Sequence, residues 1–248
     1  MPTALITGAT SGIGRAFADR LAADGYDLVL VARDAERLER IAGQLGGAEV
    51  IVADLARSEG RALVETRLTE RPVDLLVNNA GRAAGQPFLT GSAAVEDEMF
   101  EVNAHAVLRL TRAALVGMVD RRSGMIINVA SVAAWVPRGS YAATKAYVLS
   151  LSRTAALEAA PYGVVVQALC PGMTHTEFHA RSGSDAEKRI PGFLWLSPER
   201  VVDESIASLA RGRTVCIPGK RWKLIVAVTR LMPARLSVAI AKRSQPKA

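Results

Sequence analysis

The stretch ALITGATSGIG, Ala4 to Gly14, decides the fold. A short apolar run, Ala4 to Thr7, leads directly into a glycine-rich turn, and the residues beyond, RAFADRLAADG, have helical period. Glycine permits a tight turn and lets backbone N–H groups come close to an anion, while the following helix offers its positive end to the same anion. Such a strand, turn and helix suit a pyrophosphate. The spacing is G-x-x-x-G-x-G, set by Gly8, Gly12 and Gly14, and a strand-to-helix turn without a ligand has the same composition. Its meaning therefore depends on what surrounds it.

Further runs of the same kind follow: 27–32 (DLVLVA), 49–53 (EVIVA), 73–78 (VDLLVN), 124–130 (GMIINVA), 163–169 (GVVVQAL) and 214–218 (TVCIP). They are short, rich in Val, Ile and Leu, show little polar alternation and are separated by segments of helical period. That is the pattern of a parallel sheet buried on both faces. The expected fold is α/β, a Rossmann-like doubly wound sheet of about seven parallel strands flanked by helices on both faces. Ligands of such sheets bind beyond the C-terminal ends of the strands, so the chemistry is sought just after each run.

A chain of 248 residues, 50% hydrophobic, is long enough to bury one sizeable core. The expected organisation is one Rossmann-fold domain over 1–218, with a substrate lid at 174–200, and a basic, apolar helical tail over 219–248. The first residues enter a strand-like run at once, without the charged and apolar regions of a secretory signal. No uncharged apolar run approaches the length that spans a bilayer. Cys170 and Cys216 have no metal or redox spacing, so the cytoplasm is the expected compartment. The net charge of +7 is carried by the tail: from Lys220 to Ala248 there are eight basic residues and no acidic one, leaving the body at −1. A body of that charge does not fit a nucleic-acid binder, which needs a basic surface or a recognition motif.

The end of the second run should meet the adenosine ribose of a dinucleotide. Cofactors lacking a 2′-phosphate are usually held there by a carboxylate about 20 residues after the glycines. Here Ala32 is followed by Arg33, 19 residues after Gly14. A guanidinium makes charge-assisted bonds to a 2′-phosphate, so NADP(H) is expected over NAD(H). A solvated Arg33 is the alternative. Asp34 could pair with Arg33, but AERLERI after it marks it as a helix N-cap.

Tyr141 and Lys145, in SYAATKAYVLSLS, lie four apart at the start of a helix after the fifth run and so share one face. Alone the pair is weak, because six lysines and four tyrosines give an accidental Y-x-x-x-K about once in ten such chains. Placed after a strand whose end carries Ser131, it reads as a proton-transfer device. A phenol of reference pKa about 10 must fall by about 3 to work near neutrality, roughly 4 kcal/mol. An ammonium about 4 Å away at an effective dielectric of about 20 supplies that much.

These motifs together resemble the short-chain dehydrogenase/reductase family, of the single-domain, NADP-preferring kind, from Thr7 to about Pro218. TGATSGIG resembles its glycine turn, ADL its adenine-contacting aspartate, NNAG (Asn78 to Gly81) its motif after the fourth strand, YAATK its tyrosine and lysine, and CPGMTHTEF its proline-glycine segment. The resemblance implies that Tyr141 exchanges a proton with the carbonyl or alcohol oxygen and that Ser131 holds this oxygen. It implies that Lys145 binds the nicotinamide ribose and lowers the tyrosine pKa, and that Asn103 positions a water linking Lys145 to solvent. Cofactor contacts are implied for Gly8, Thr10, Ser11, Gly12, Ile13, Gly14, Arg33, Asp54, Leu55, Asn79, Ala80, Gly81, Tyr141, Lys145, Pro171, Gly172 and Thr174, with the backbone near Met173. A homodimer or homotetramer through the helices of Asn103 and Tyr141 is also implied. Ser131 and Tyr141 are ten residues apart, a shorter loop than the family's usual one. Ser140 is the rival serine, but a neighbour of Tyr141 on a helix points elsewhere.

Phe178, Phe193, Leu194 and Trp195 in the lid either line an apolar substrate pocket or pack the lid on the body. The first choice makes the partner an apolar carbonyl or alcohol compound. His175, Glu177 and His179 have a spacing that suits a metal, but no third protein ligand is evident and none is expected. Pro233 divides the tail into two short helices with three candidate roles: covering the cleft, meeting another subunit, or making peripheral contact with an anionic membrane. Docking on protein is the favoured one. Two other classes stay open on sequence alone: a cofactor-binding sensor or assembly protein without turnover, and a sugar-nucleotide epimerase of related fold, which usually has a larger C-terminal region.

Overall fold

The computed structural model describes residues 1–137, 139–178, 190–233 and 235. Seven strands, β1 (Thr3–Thr7), β2 (Asp27–Ala32), β3 (Glu49–Val52), β4 (Leu75–Asn78), β5 (Gly124–Val129), β6 (Val164–Leu169) and β7 (Val215–Cys216), form one sheet. All neighbouring strands are parallel and their order is β3-β2-β1-β4-β5-β6-β7. The order reverses between β1 and β4, which opens a crevice at the C-terminal ends of these two strands. Each expected strand is present, with bounds that differ by a few residues at most.

Alternation along each strand feeds two cores. From β1, Ala4 and Ile6 face one side, where they join Phe17 and Leu21 of α1 (Gly12–Ala23), Leu38 and Ile41 of α2 (Ala35–Gln44) and Val201 and Val202 of a later helix. Leu5 faces the other side, joining Val64 and Leu68 of α3 (Ser58–Glu70), Leu110 and Met118 of α5 (Ala106–Asp120) and Ala155 of α6 (Gly139–Ala159). Both faces of the sheet are thereby covered, which is why the strands read as unbroken apolar runs. Between α3 and α5 lie α4 (Ala93–Phe100) and a π-helical turn, Glu101–His105.

After β6 come α7 (Pro198–Leu209) and, beyond β7, α8 (Lys220–Leu231), the first of the expected tail helices. No helix among the described residues is long and apolar enough to cross a membrane. His179, lid residues 179–189 and tail residues 236–248 lie outside the described residues.

Candidate active site

The crevice between β1 and β4 is held by side chain to backbone bonds. Thr7 Oγ1 accepts from the N–H groups of Asn79 and Ala80, each at 3.0 Å, while Asn79 Nδ2 donates to the carbonyls of Thr7 and Gly8 at 2.9 and 3.2 Å. Gly8 adopts φ +66° and its N–H donates to Val31 at 2.8 Å, tying the turn to β2 as well. Gly14 is required by packing: a Cβ there would lie 2.2 Å from Gly8 O and 2.4 Å from Asn79 Nδ2. Ser11 caps α1 with extended backbone and no side-chain hydrogen bond. The first-turn N–H groups therefore have no side-chain acceptor at the cap, which fits an anion.

Other candidate cofactor contacts are arrayed around this turn. Asp54 follows β3 and accepts at 3.0 Å from Ala56 N–H. Leu55 is buried in the core on the α3 face, so its side chain is structural. Ile13 is partly buried against the other core. Arg33 is exposed at the end of β2, with no hydrogen bond or ion pair found for it among the described residues. Asp34 caps α2 by accepting from Arg37 N–H at 3.0 Å, as its position in the sequence suggested. Its carboxylate does not pair with Arg33.

Ser131 ends β5 and caps a short 3₁₀ turn, Val132–Trp135, accepting from Ala133 N–H at 3.1 Å. The chain enters α6 at Gly139, and the Ser131 side chain comes near enough to the Tyr141 hydroxyl to favour its ionised form by hydrogen bonding. The ten-residue separation thus still brings the two hydroxyls together. Lys145 lies one helical turn on, 4% exposed, with its ammonium donating to Val129 O at 2.8 Å and lying 5.8 Å from the Tyr141 ring centroid. A Cβ on Gly81 would be 3.6 Å from Lys145 Nζ. The β4 turn therefore touches both the glycine turn and the tyrosine-lysine pair.

The electrostatics differ from expectation. Burial pushes the Tyr141 hydroxyl up to about 12, opposed only by the Ser131 hydrogen bond. Lys145 is pushed down to about 8, also by burial. The protein's own groups thus raise the phenol rather than lower it, because desolvation outweighs the one hydrogen bond that favours the ionised form.

Asn103 is fully buried in the π-helical turn, where its Oδ1 accepts from Arg82 N–H at 2.9 Å and its Nδ2 donates to Arg82 O at 2.8 Å and Thr144 Oγ1 at 3.3 Å. Its side chain therefore braces the segment after β4 against α6. Behind it, Asn78, Thr111, Asn128 and Ser152 form a buried chain of hydrogen bonds linking β4, α5, β5 and α6. Neither Thr7 as a hub nor this chain was evident from spacing, since each depends on strands distant in sequence.

On the far side, Thr174 is 3% exposed and donates to Gly172 O at 3.1 Å. Phe178 lies against Tyr141, ring centroids 5.6 Å apart. The other lid aromatics pack the lid: Trp195 stacks on His175 at 4.8 Å, and Phe193 is 60% exposed under the Arg221 guanidinium. Trp222 of α8 was missed in the sequence. Its indole donates to Leu194 O at 2.8 Å, and its ring fills the space where a Cβ on Gly172 would fall, at 2.1 Å. No cluster able to hold a metal occurs among the described residues.

The sequence matches the short chain dehydrogenase family over residues 2–187. It is 34% identical to L-xylulose reductase of Mesocricetus auratus over 232 residues, covering 87% of this chain and 94% of that protein. Among solved structures, a short-chain dehydrogenase from Sphingobium yanoikuyae in complex with NADPH superposes with a TM-score of 0.84 at 37% identity, covering 100% of this chain and 99% of that one. The bulky-bulky ketone specific alcohol dehydrogenase from Comamonas testosteroni gives 0.80 at 34%, covering 100% and 97%.

Proposed function

Because the chain belongs to the short-chain dehydrogenase family and is an oxidoreductase acting on CH–OH groups, we propose that it interconverts an apolar ketone or aldehyde and its alcohol, using NADP(H) in preference to NAD(H). The observation that carries this reading is the convergence of Ser131, Tyr141 and Lys145 beside the glycine turn. When bound, the nicotinamide cofactor supplies or accepts the hydride.

The residues of the chain supply the proton and the orientation. Tyr141, pushed up to about 12 by burial, is protonated at neutral pH and so carries the proton that a carbonyl oxygen would take. Ser131, beside that hydroxyl, holds the same oxygen and limits where it can sit. Lys145, near 8, remains mostly cationic at neutral pH, so negative charge developing on the phenol is stabilised without solvent. The phenol is left ionised by reduction and must be ionised before oxidation, so its burial weighs on both directions.

Gly8, Thr10, Ser11, Gly12 and Gly14 would hold the pyrophosphate, and Arg33 the 2′-phosphate. Support for the phosphate comes from the exposed guanidinium, from the use of Asp34 as a cap, and from a neighbour that binds NADPH. Support for an apolar substrate comes from Phe178 against Tyr141 and from a neighbour specific for bulky ketones. Exposed Val116 of α5 (59%) and Leu157 of α6 (78%) support self-association through these helices. Docking of α8 through Trp222 supports the tail as a wall of the substrate side. The test is turnover of ketones of increasing apolar size with each cofactor. NADPH should give the higher kcat/KM, rising with apolar bulk; equal use of NADH, or activity confined to polar substrates, would refute the respective half of the proposal.

A further inference from the structure

A carboxylate from the lid reaches across the adenosine side of the groove. Arg37 stands in the first turn of α2, four residues after Arg33, and its guanidinium meets Glu177, with Nη2 donating to Oε1 at 2.6 Å and Nη1 to Oε2 at 3.1 Å. This is a two-pronged pair between groups 140 positions apart in the chain. The segment carrying Glu177 is anchored at its start: His175 N–H donates to Leu196 O at 3.0 Å and the His175 ring stacks on Trp195. Thr176 rests on the glycine turn, where a Cβ on Gly12 would lie 2.8 Å from its methyl group. The strap thus runs over the turn and ends in a carboxylate that clasps α2.

Two guanidiniums therefore flank Asp34, and they differ. Arg33 is exposed and has no partner found among the described residues, whereas Arg37 is engaged by Glu177. A phosphate bound at the end of β2 would meet the exposed Arg33, while Arg37, in the first turn of the helix that follows, is already held by a carboxylate. A cofactor without that phosphate offers neither guanidinium a charge-assisted bond.

We propose that Glu177 is a specificity-determining residue that competes with the cofactor's 2′-phosphate for Arg37, so that the lid itself tempers the preference for NADP(H) over NAD(H). The proposal rests on the nicotinamide-binding reading above. The side chains of Arg37 and Glu177 are 30% and 45% exposed, so the pair is partly solvated and its effect is modest and sensitive to salt. The lid residue and the cofactor phosphate are linked by mass action through one guanidinium.

Binding, rather than turnover, tests this. Dissociation constants for NADPH, NADH, 2′,5′-ADP and 5′-AMP would be measured at low and high salt for wild type, Glu177→Gln, Arg37→Gln and the double variant. Glu177→Gln should bind NADPH and 2′,5′-ADP about two- to fivefold tighter at low salt, with NADH and 5′-AMP unchanged. The gain should vanish in the double variant and shrink at high salt. No change, or the same change for all four ligands, would overturn the proposal and leave Glu177 as a lid tether. A wild-type protein that binds neither NADPH nor NADH would instead overturn the nicotinamide reading on which it rests.

Discussion

The two walls of the site are built differently. The wall formed by the glycine turn, β1 and β4 is built around backbone: the Thr7 and Asn79 side chains bond to main-chain groups, and Gly14 is excluded from having a Cβ by a carbonyl 2.2 Å away. The wall formed by the lid and α8 is made of side chains laid on one another: Phe178 on Tyr141, Trp195 on His175, Arg221 on Phe193 and Trp222 on Gly172. Backbone geometry admits one residue type at a position, whereas side-chain packing admits several. The first wall is therefore rigid and general, suited to a cofactor, and the second adaptable, suited to a particular substrate.

Glycine substitutions should break this contrast most sharply. Gly14→Ala drives a Cβ into backbone and should cost about 3 kcal/mol or more, together with cofactor binding. Gly43→Ala, in α2 with open space around it, should stabilise by about 0.5–1 kcal/mol. Chemical denaturation of both variants checks the sign as well as the size.

Lys145, on α6 behind the β4 turn, is buried, and its burial sets a conflict between stability and function. Its folded pKa, about 8, lies below its ordinary 10.5, so between these values the unfolded chain holds the extra proton and stability rises with pH. Lys145→Met should remove that rise and stabilise the protein at pH 7 by about 1–3 kcal/mol while abolishing turnover. Thermal melts from pH 7 to 10.5 report it. A lower stability at pH 7 would mean that the bond to Val129 outweighs desolvation.

The smallest effect should fall on the adaptable wall. Trp222→Ala removes an indole from Gly172 and its bond to Leu194. A stability loss of about 1–2 kcal/mol is expected, with KM for a bulky ketone raised and NADPH affinity unchanged. Steady-state kinetics beside a cofactor titration separates the two.

The same contrast explains what could be read from the sequence. The sheet was legible because parallel strands covered on both faces are unbroken apolar runs, and the glycine turn, Arg33, Ser131, Tyr141 and Lys145 were legible because local spacing places them. Asp34 as a cap was local too. What escaped depends on contacts between distant segments: Thr7 with Asn79, Trp222 with Gly172, and Arg37 with Glu177. The lid aromatics divided only in three dimensions, Phe178 to the tyrosine and Trp195 to packing. The burial that raises the Tyr141 hydroxyl was not legible, because a tyrosine and a lysine four residues apart say nothing of how deeply both are buried.

In the proposed reaction Tyr141 passes the proton, while Ser131 and Lys145 orient and stabilise the groups that exchange it. The direct measurement is NADPH-dependent reduction of an apolar ketone by wild type and Tyr141→Phe, with the NADPH dissociation constant determined for both. A fall in kcat of about 10²–10⁴-fold with NADPH affinity unchanged is the predicted result. A Tyr141→Phe enzyme that keeps kcat within about twofold of wild type would contradict it, and the proton would have to come from another group.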